Sequence, residues 1–198
     1  FLTESILKQK PKKLYFIEKD YKLLQLLKEK YKNDSRVIFI EKDIFKINLH
    51  DFNNLKIISN LPYNISTKVI LYLFNFSENI SEMILMVQKE VAEKFDYNLP
   101  KMNKYKFLTK IVSTYLRCFN VSSNVFIPKP KVNSTVVKFI FNKKNFDLEK
   151  GVSFSKLIFK NVRKKINNNL NIDNKDKILN KRVNELSIDE LLTIYNFF

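Results

Sequence analysis

Leu55-Lys56-Ile57-Ile58-Ser59, running into Asn60-Leu61-Pro62-Tyr63, is the stretch on which the reading of this chain turns. The first five residues form a short apolar run, the pattern of a buried strand, and a helical pattern begins near Ser66. An amide, a proline and an aromatic ring therefore fall at a strand's carboxyl end, where open α/β sheets place their ligands. The exocyclic amino nitrogen of a nucleobase is a poor nucleophile, because its lone pair is delocalised into the ring. The Asn60 side-chain oxygen and the Leu61 carbonyl offer two acceptors for the N–H groups of such a nitrogen, and Pro62 stiffens the turn that holds them. Tyr63 offers a face on which an extruded base can stack. Positioning the nitrogen in line with an activated group needs no strongly shifted base. The plain alternative is a strand-to-helix turn, for which Asn and Pro are common choices.

Working outward, the spacing predicts strands at Lys13–Ile17, Arg36–Ile40 and Glu82–Val87, and helices at Leu2–Leu7, Tyr21–Tyr31, Thr67–Phe76 and Gln88–Phe95. In the second of these helices Leu23, Leu24, Leu26 and Leu27 are read as one apolar face. Strand and helix alternating at this spacing is the doubly wound α/β pattern with a parallel sheet. Further on come a basic loop at Pro100–Lys106, a helix at Phe107–Leu116 and a short strand at Val121–Val125. A proline-rich segment and a long alternating strand at Val132–Phe141 then close the sheet. The texture changes after Asn142: Lys143–Gly151 reads as a linker and Phe154–Leu170 as a basic helix broken by three asparagines. Helical pieces follow at Asp176–Asn180 and Ile188–Phe197, the last capped by Ser187 with Glu190 three residues later. The expected domains are 1–145 and a small helical domain over 146–198.

The 198 residues carry 36 Lys+Arg against 20 Asp+Glu, a net charge of +16, which favours a polyanionic partner. A Lys- and Asn-rich proteome would raise the charge with no binding role. Hydrophobic residues make up 45%, enough for a core. No apolar run reaches the roughly 18 residues of a membrane span, and no signal-peptide pattern opens the chain. One cysteine, Cys118, and one histidine, His50, exclude a disulfide within the chain and a Cys/His zinc site, so no metal is expected. Cys118 is read as a packed thiol and His50 as a surface loop residue. The single glycine, Gly151, leaves the printed residues without a phosphate-cradling glycine-rich loop.

Two acids stand at consecutive strand ends, Glu18 and Asp43. The first suits ribose hydroxyls and the second an adenine amino group, while acids also commonly cap strand ends and helices. In Phe126-Ile127-Pro128-Lys129-Pro130-Lys131 the ring can stack on a base or pack in the core, and the lysines can meet phosphates. Lys160, Arg163, Lys164 and Lys165 form a basic helix face, suited to an RNA backbone or simply to solvent.

In this order the motifs resemble the KsgA/RsmA family of small-subunit rRNA adenine N6,N6-dimethyltransferases. The resemblance runs through Leu2-Thr3-Glu4, Phe16–Asp20, Asp43, the Asn60–Tyr63 motif, Gln88–Ala92, Phe126–Ser134, Arg163–Lys165 and Arg182–Ser187. It implies a Rossmann-like class I methyltransferase sheet with a helical C-terminal domain, and S-adenosylmethionine as methyl donor. It implies that Asn60, Leu61, Pro62 and Tyr63 are catalytic, and that Glu18, Asp43, Ile44 and Asn60 hold the cofactor. Phe126, Pro128, Lys129, Lys131, Arg163, Lys164 and Lys165 are the implied RNA contacts. The implied substrate is two adjacent adenosines near the 3′ end of small-subunit rRNA in a pre-30S particle. A monomer in the bacterial cytoplasm is the expected form, an organelle being the other setting, with no membrane partner. The family's first strand and glycine-rich loop have no counterpart in the printed residues, so an N-terminally incomplete chain that holds cofactor weakly is expected. Lys106 stands where the family usually has glycine. The Erm large-subunit methylases share the chemistry, although Leu61 and Gln88–Val91 favour the KsgA side. A non-catalytic ribosome-assembly protein is the third reading.

Overall fold

A computed structural model describes residues 2–141, 146–170 and 177–198, in two compact units that divide after Leu49. The first unit carries α1 (Leu2–Lys8), β1 (Leu14–Glu18), α2 (Tyr21–Tyr31) and β2 (Val37–Glu41), followed by a 3-10 turn at Ile44–Lys46. The strands pair in parallel from Leu14↔Val37 to Glu18↔Glu41. Phe16 stacks on Phe39 (5.4 Å) and on Tyr31 (5.7 Å), which seats α2 on the pair. Asp20 caps α2 by accepting from the Leu23 N–H (3.1 Å). The expected leucine face is narrower than its composition: Leu24 is fully buried, whereas Leu23 and Leu26 are exposed. Residues one and two apart on a helix point to different sides, so four leucines in five positions cannot share one stripe.

The second unit holds β3 (Leu55–Asn60), α3 (Ser66–Phe74), β4 (Ile80–Gln88), α4 (Lys89–Phe95), α5 (Lys104–Val112), β5 (Ser113–Val121) and β6 (Ser134–Phe141). It continues with α6 (Leu148–Ile158), α7 (Ile166–Leu170) and α8 (Ile188–Phe197). The strand order is β3-β4-β6-β5, parallel for β3/β4 and antiparallel for the other two pairs. The sheet is thus mixed, not parallel throughout, because β5 and β6 are joined directly as neighbours with no crossover helix. One face is packed by Phe74, Phe95, Tyr115 and Phe139, whose rings meet edge to face.

Three expectations need correction. The apolar run over 107–116 divides between α5 and β5. Asn103 starts the helix by accepting from the Tyr105 and Lys106 N–H groups, and the β-branched and aromatic residues after Ser113 carry on as strand. The region expected as a strand at Val121–Val125 contains only the end of β5 and a 3-10 turn. Gly151 lies inside α6, not in a linker, and a Cβ there would collide with the Ile111 side chain of α5. Of the expected linker, residues 143–145 lie outside the described residues. So does Asp176 of the expected helix at Asp176–Asn180, whose remainder is turn. Ile188–Phe197 forms as expected, with the Ser187–Glu190 capping box complete.

Candidate active site

Three segments meet at the carboxyl end of β4. On one side β3 ends at Asn60, paired with Met86, and the Leu61 N–H donates to the Met86 carbonyl (3.2 Å). On the other side β6 begins with Ser134 opposite Gln88, and the Lys89 N–H donates to the Asn133 carbonyl (3.0 Å). The Tyr63 and Ser134 hydroxyls lie 2.9 Å apart and join the two sides. The structure thereby brings together the Asn60–Tyr63, Gln88–Lys89 and Asn133–Ser134 segments, which are far apart in sequence.

The turn is held from below. Leu61 is buried, and the Pro62 carbonyl accepts from the Ile65 N–H (3.2 Å) and the Ser66 hydroxyl (2.8 Å). Asn60 is exposed. Among the described residues, neither its side-chain amide nor the Leu61 carbonyl has a hydrogen-bond partner. Two acceptors on a fixed turn are therefore open to a ligand. Tyr63 is half-buried, with its hydroxyl committed to Ser134, so its orientation is set by β6. Tyr63→Phe should cost about 1 kcal/mol of stability, because the fully buried Ser134 hydroxyl loses its partner. Urea denaturation of the two proteins measures it.

Between β5 and β6 the Ser123 N–H donates to the Asn133 side chain (3.0 Å), closing a loop that carries Phe126, Pro128, Lys129 and Lys131. Phe126 is half-buried, Lys129 and Lys131 are exposed, and the Ile127–Pro128 peptide bond is cis. Arg163, Lys164 and Lys165 are not helical: α6 stops at Ile158, and these residues form the turn before α7. Lys165 makes an antiparallel bridge to Arg182, which adds a cation that sequence spacing did not connect to the group. Cys118 is exposed rather than packed, because it is the extra residue of a β-bulge between Arg117 and Phe119. His50 is exposed, with its ring 4.9 Å from that of Phe76.

Glu18 and Asp43 lie in the first unit, at the carboxyl ends of its paired strands. One Glu18 oxygen accepts from the Lys19 and Asp20 N–H groups (both 2.8 Å), leaving the other without a partner among the described residues. Asp43 accepts from the Phe45 N–H (3.1 Å), and its second oxygen lies 3.8 Å from the Lys19 ammonium. A carboxylate with one oxygen locked to its own turn and one open fits a pair of vicinal hydroxyls.

Lys106 was expected in a basic loop and is instead buried in α5, donating to the Leu99 (2.8 Å) and Pro100 (2.6 Å) carbonyls. Burial pushes its ammonium below the ordinary range, against the pull of Asp96 and Glu93. Between that lowered value and the ~10.4 of an unfolded lysine, the unfolded chain binds more protons, so stability rises with pH through the window. Lys106→Met should remove that rise, seen as a smaller difference in urea midpoint between neutral and alkaline pH.

Among the described residues, no helix is long and apolar enough to cross a membrane, and no cluster of His, Cys, Asp or Glu could hold a metal ion. The fold is the Rossmann-like class I methyltransferase fold. The crystal structure of the 23S rRNA methyltransferase ErmE superposes with a TM-score of 0.77 at 17% identity, over 93% of this chain and 81% of that one. A dimethyladenosine transferase from Plasmodium falciparum superposes with a TM-score of 0.72 at 23% identity, over 94% of this chain and 82% of that one. Sequence takes the assignment further. The family model described as ribosomal RNA adenine dimethylase matches residues 1–198, and the chain belongs to that family. The ribosomal RNA small subunit methyltransferase A of Hydrogenobaculum is 37% identical over 98% of this chain and 77% of its own length. The protein of the same name from Malacoplasma penetrans is 42% identical over 85% of this chain, which spans 63% of that relative.

Proposed function

We propose that the protein transfers methyl groups from S-adenosylmethionine to N6 of two adjacent adenosines near the 3′ end of small-subunit rRNA. The observation that carries this reading is the pair of unpartnered acceptors, Asn60 and the Leu61 carbonyl, on a turn locked to β4 and β6. An adenine N6 with both N–H groups on those acceptors has its lone pair turned out of conjugation and aimed. The Tyr63 ring supports the extruded base from one side, and Phe126 supplies a second aromatic surface. Glu18 would hold the ribose of the cofactor through its open oxygen, with Asp43 and Ile44 beside the adenine. When bound, that cofactor supplies an electrophilic methyl group. The proton released from N6 becomes strongly acidic on methylation and passes to water, so no shifted histidine or lysine is required.

On this reading residues 1–145 carry the transfer and residues 146–198 contact RNA, in a monomer acting on a pre-30S particle in the bacterial cytoplasm. Lys129, Lys131, Arg163, Lys164 and Lys165 are phosphate contacts. Charge reversal of Arg163 and Lys164 together should flatten the slope of log affinity against log salt by about 1.4 to 1.8, with turnover at saturating RNA unchanged. The deciding experiment incubates the protein with labelled S-adenosylmethionine and under-methylated small subunits, then digests the rRNA. N6,N6-Dimethyladenosine in the digest is the expected result. Its absence sinks the proposal, and label confined to large-subunit rRNA would point to Erm-type specificity.

A further inference from the structure

In the second unit α3, α5 and α6 line a half-open cavity of about 280 Å³. Phe74 and Leu108 form its buried floor, and Leu71, Val152 and Tyr105 its walls. Two exposed cations, Lys104 and Lys156, stand at its mouth, and among the described residues no carboxylate lines it. Two polar groups line it with capacity to spare. Asn75 donates its amide to the Tyr72 carbonyl (3.1 Å), leaving the side-chain oxygen without a partner among the described residues. The Ser155 hydroxyl donates to the Val152 carbonyl (2.9 Å), leaving its lone pairs to accept. The walls are braced near Gly151, where α6 approaches Ile111 of α5 too closely for a Cβ. The Lys94 and Lys104 ammoniums lie over the Tyr105 ring, 5.8 and 5.1 Å from its centre, so a base that stacks there takes the place of the Lys104 ammonium.

The cavity is distinct from the Asn60–Tyr63 turn. The first turn of α3 is tied to Pro62, whereas its last turn lines the cavity, a separation of about 13 Å along the helix. Just below the ~300–1,000 Å³ of small-ligand sites, it has room for one ring system with its sugar. An apolar slot with an aromatic wall, a buried hydroxyl (Ser155), an exposed amide oxygen (Asn75) and exposed cations at its edge matches a nucleotide: a flat base bearing N–H donors, flanked by phosphates. We propose that this cavity is a second RNA subsite, taking one unpaired nucleotide with its base against Tyr105 and its phosphates on Lys104 and Lys156. The inference rests on the reading of the protein as RNA-modifying, but its residues take no part in methyl transfer.

The test is fluorescence anisotropy of a labelled single-stranded oligoadenylate across a range of salt. Val152→Trp, which fills the slot, should weaken binding about tenfold with the salt slope unchanged, within what one stacked base contributes. Lys104→Glu with Lys156→Glu should flatten the slope by about 1.4, the value for two phosphates on a single strand. Should Val152→Trp fail to fold by its thermal melt, Leu71→Trp fills the same slot from α3. Wild-type affinity in a folded plugged variant overturns the proposal, even if the lysine variant binds weakly, since that outcome leaves only surface charge. Methyl transfer to saturating rRNA should match wild type in every variant. A wild-type protein that transfers no methyl group would defeat the functional reading and leave the oligoadenylate result to decide this one.

Discussion

Asn60→Ala is expected to lower turnover in methyl transfer by about 10²–10³-fold while leaving RNA affinity near wild type. Asn60 is exposed at the end of β3, and its amide has no partner among the described residues, so truncation leaves nothing buried unsatisfied. Neighbouring backbone also stays in place, because the Leu61 N–H remains bonded to Met86 and the Pro62 carbonyl to Ser66. The loss should therefore fall on the chemical step: one of two acceptors that shape the N6 lone pair disappears, and the Leu61 carbonyl alone cannot hold both N–H groups. Single-turnover kinetics with labelled methyl donor separates this from binding. A turnover within a few-fold of wild type would remove Asn60 from the mechanism. A fall accompanied by a matching loss of thermal stability would make its role structural.

The second large effect is on stability. Phe139→Ala should cost about 3–5 kcal/mol, measured by urea denaturation. Phe139 is fully buried on a central strand, with ring centres at 5.1 Å to Tyr115, 5.8 Å to Phe74 and 6.0 Å to Phe95. Those partners come from β5, α3 and α4, so no single element can move to fill the void, and cavity cost adds to lost transfer energy. Set against the ~5–15 kcal/mol that holds a typical domain together, one such ring is a large fraction of the whole. A cost below that of a surface substitution would mean that this aromatic cluster is not the organising core.

Much of this was legible along the chain. Periodicity located α2 and α8 to the residue and most strands to within two, because each of those elements is bounded by acids, a proline or a capping box. It failed at 107–121, where α5 passes into β5 with no glycine or proline to mark the change. It failed again at 159–165, where a run of cations that would suit a helix surface is turned by the bridge to Arg182. Cys118 was misplaced because it is the unpaired bulge residue of an edge strand, and no local pattern marks either the bulge or the edge.

The chain by itself determined the candidate residues: acids at two strand ends, and an amide, proline and tyrosine at a third. Local rules suffice there, since the carboxyl end of a parallel strand is a place that short-range pattern can identify. Only the tertiary structure decided which groups are spoken for. It commits the Tyr63 hydroxyl to Ser134, seventy-one residues away, buries Lys106 against two carbonyls, and leaves Asn60, the Leu61 carbonyl and one oxygen of Glu18 open. Hydrogen-bond satisfaction depends on partners supplied by strand pairing across long sequence separations, and no local pattern contains them.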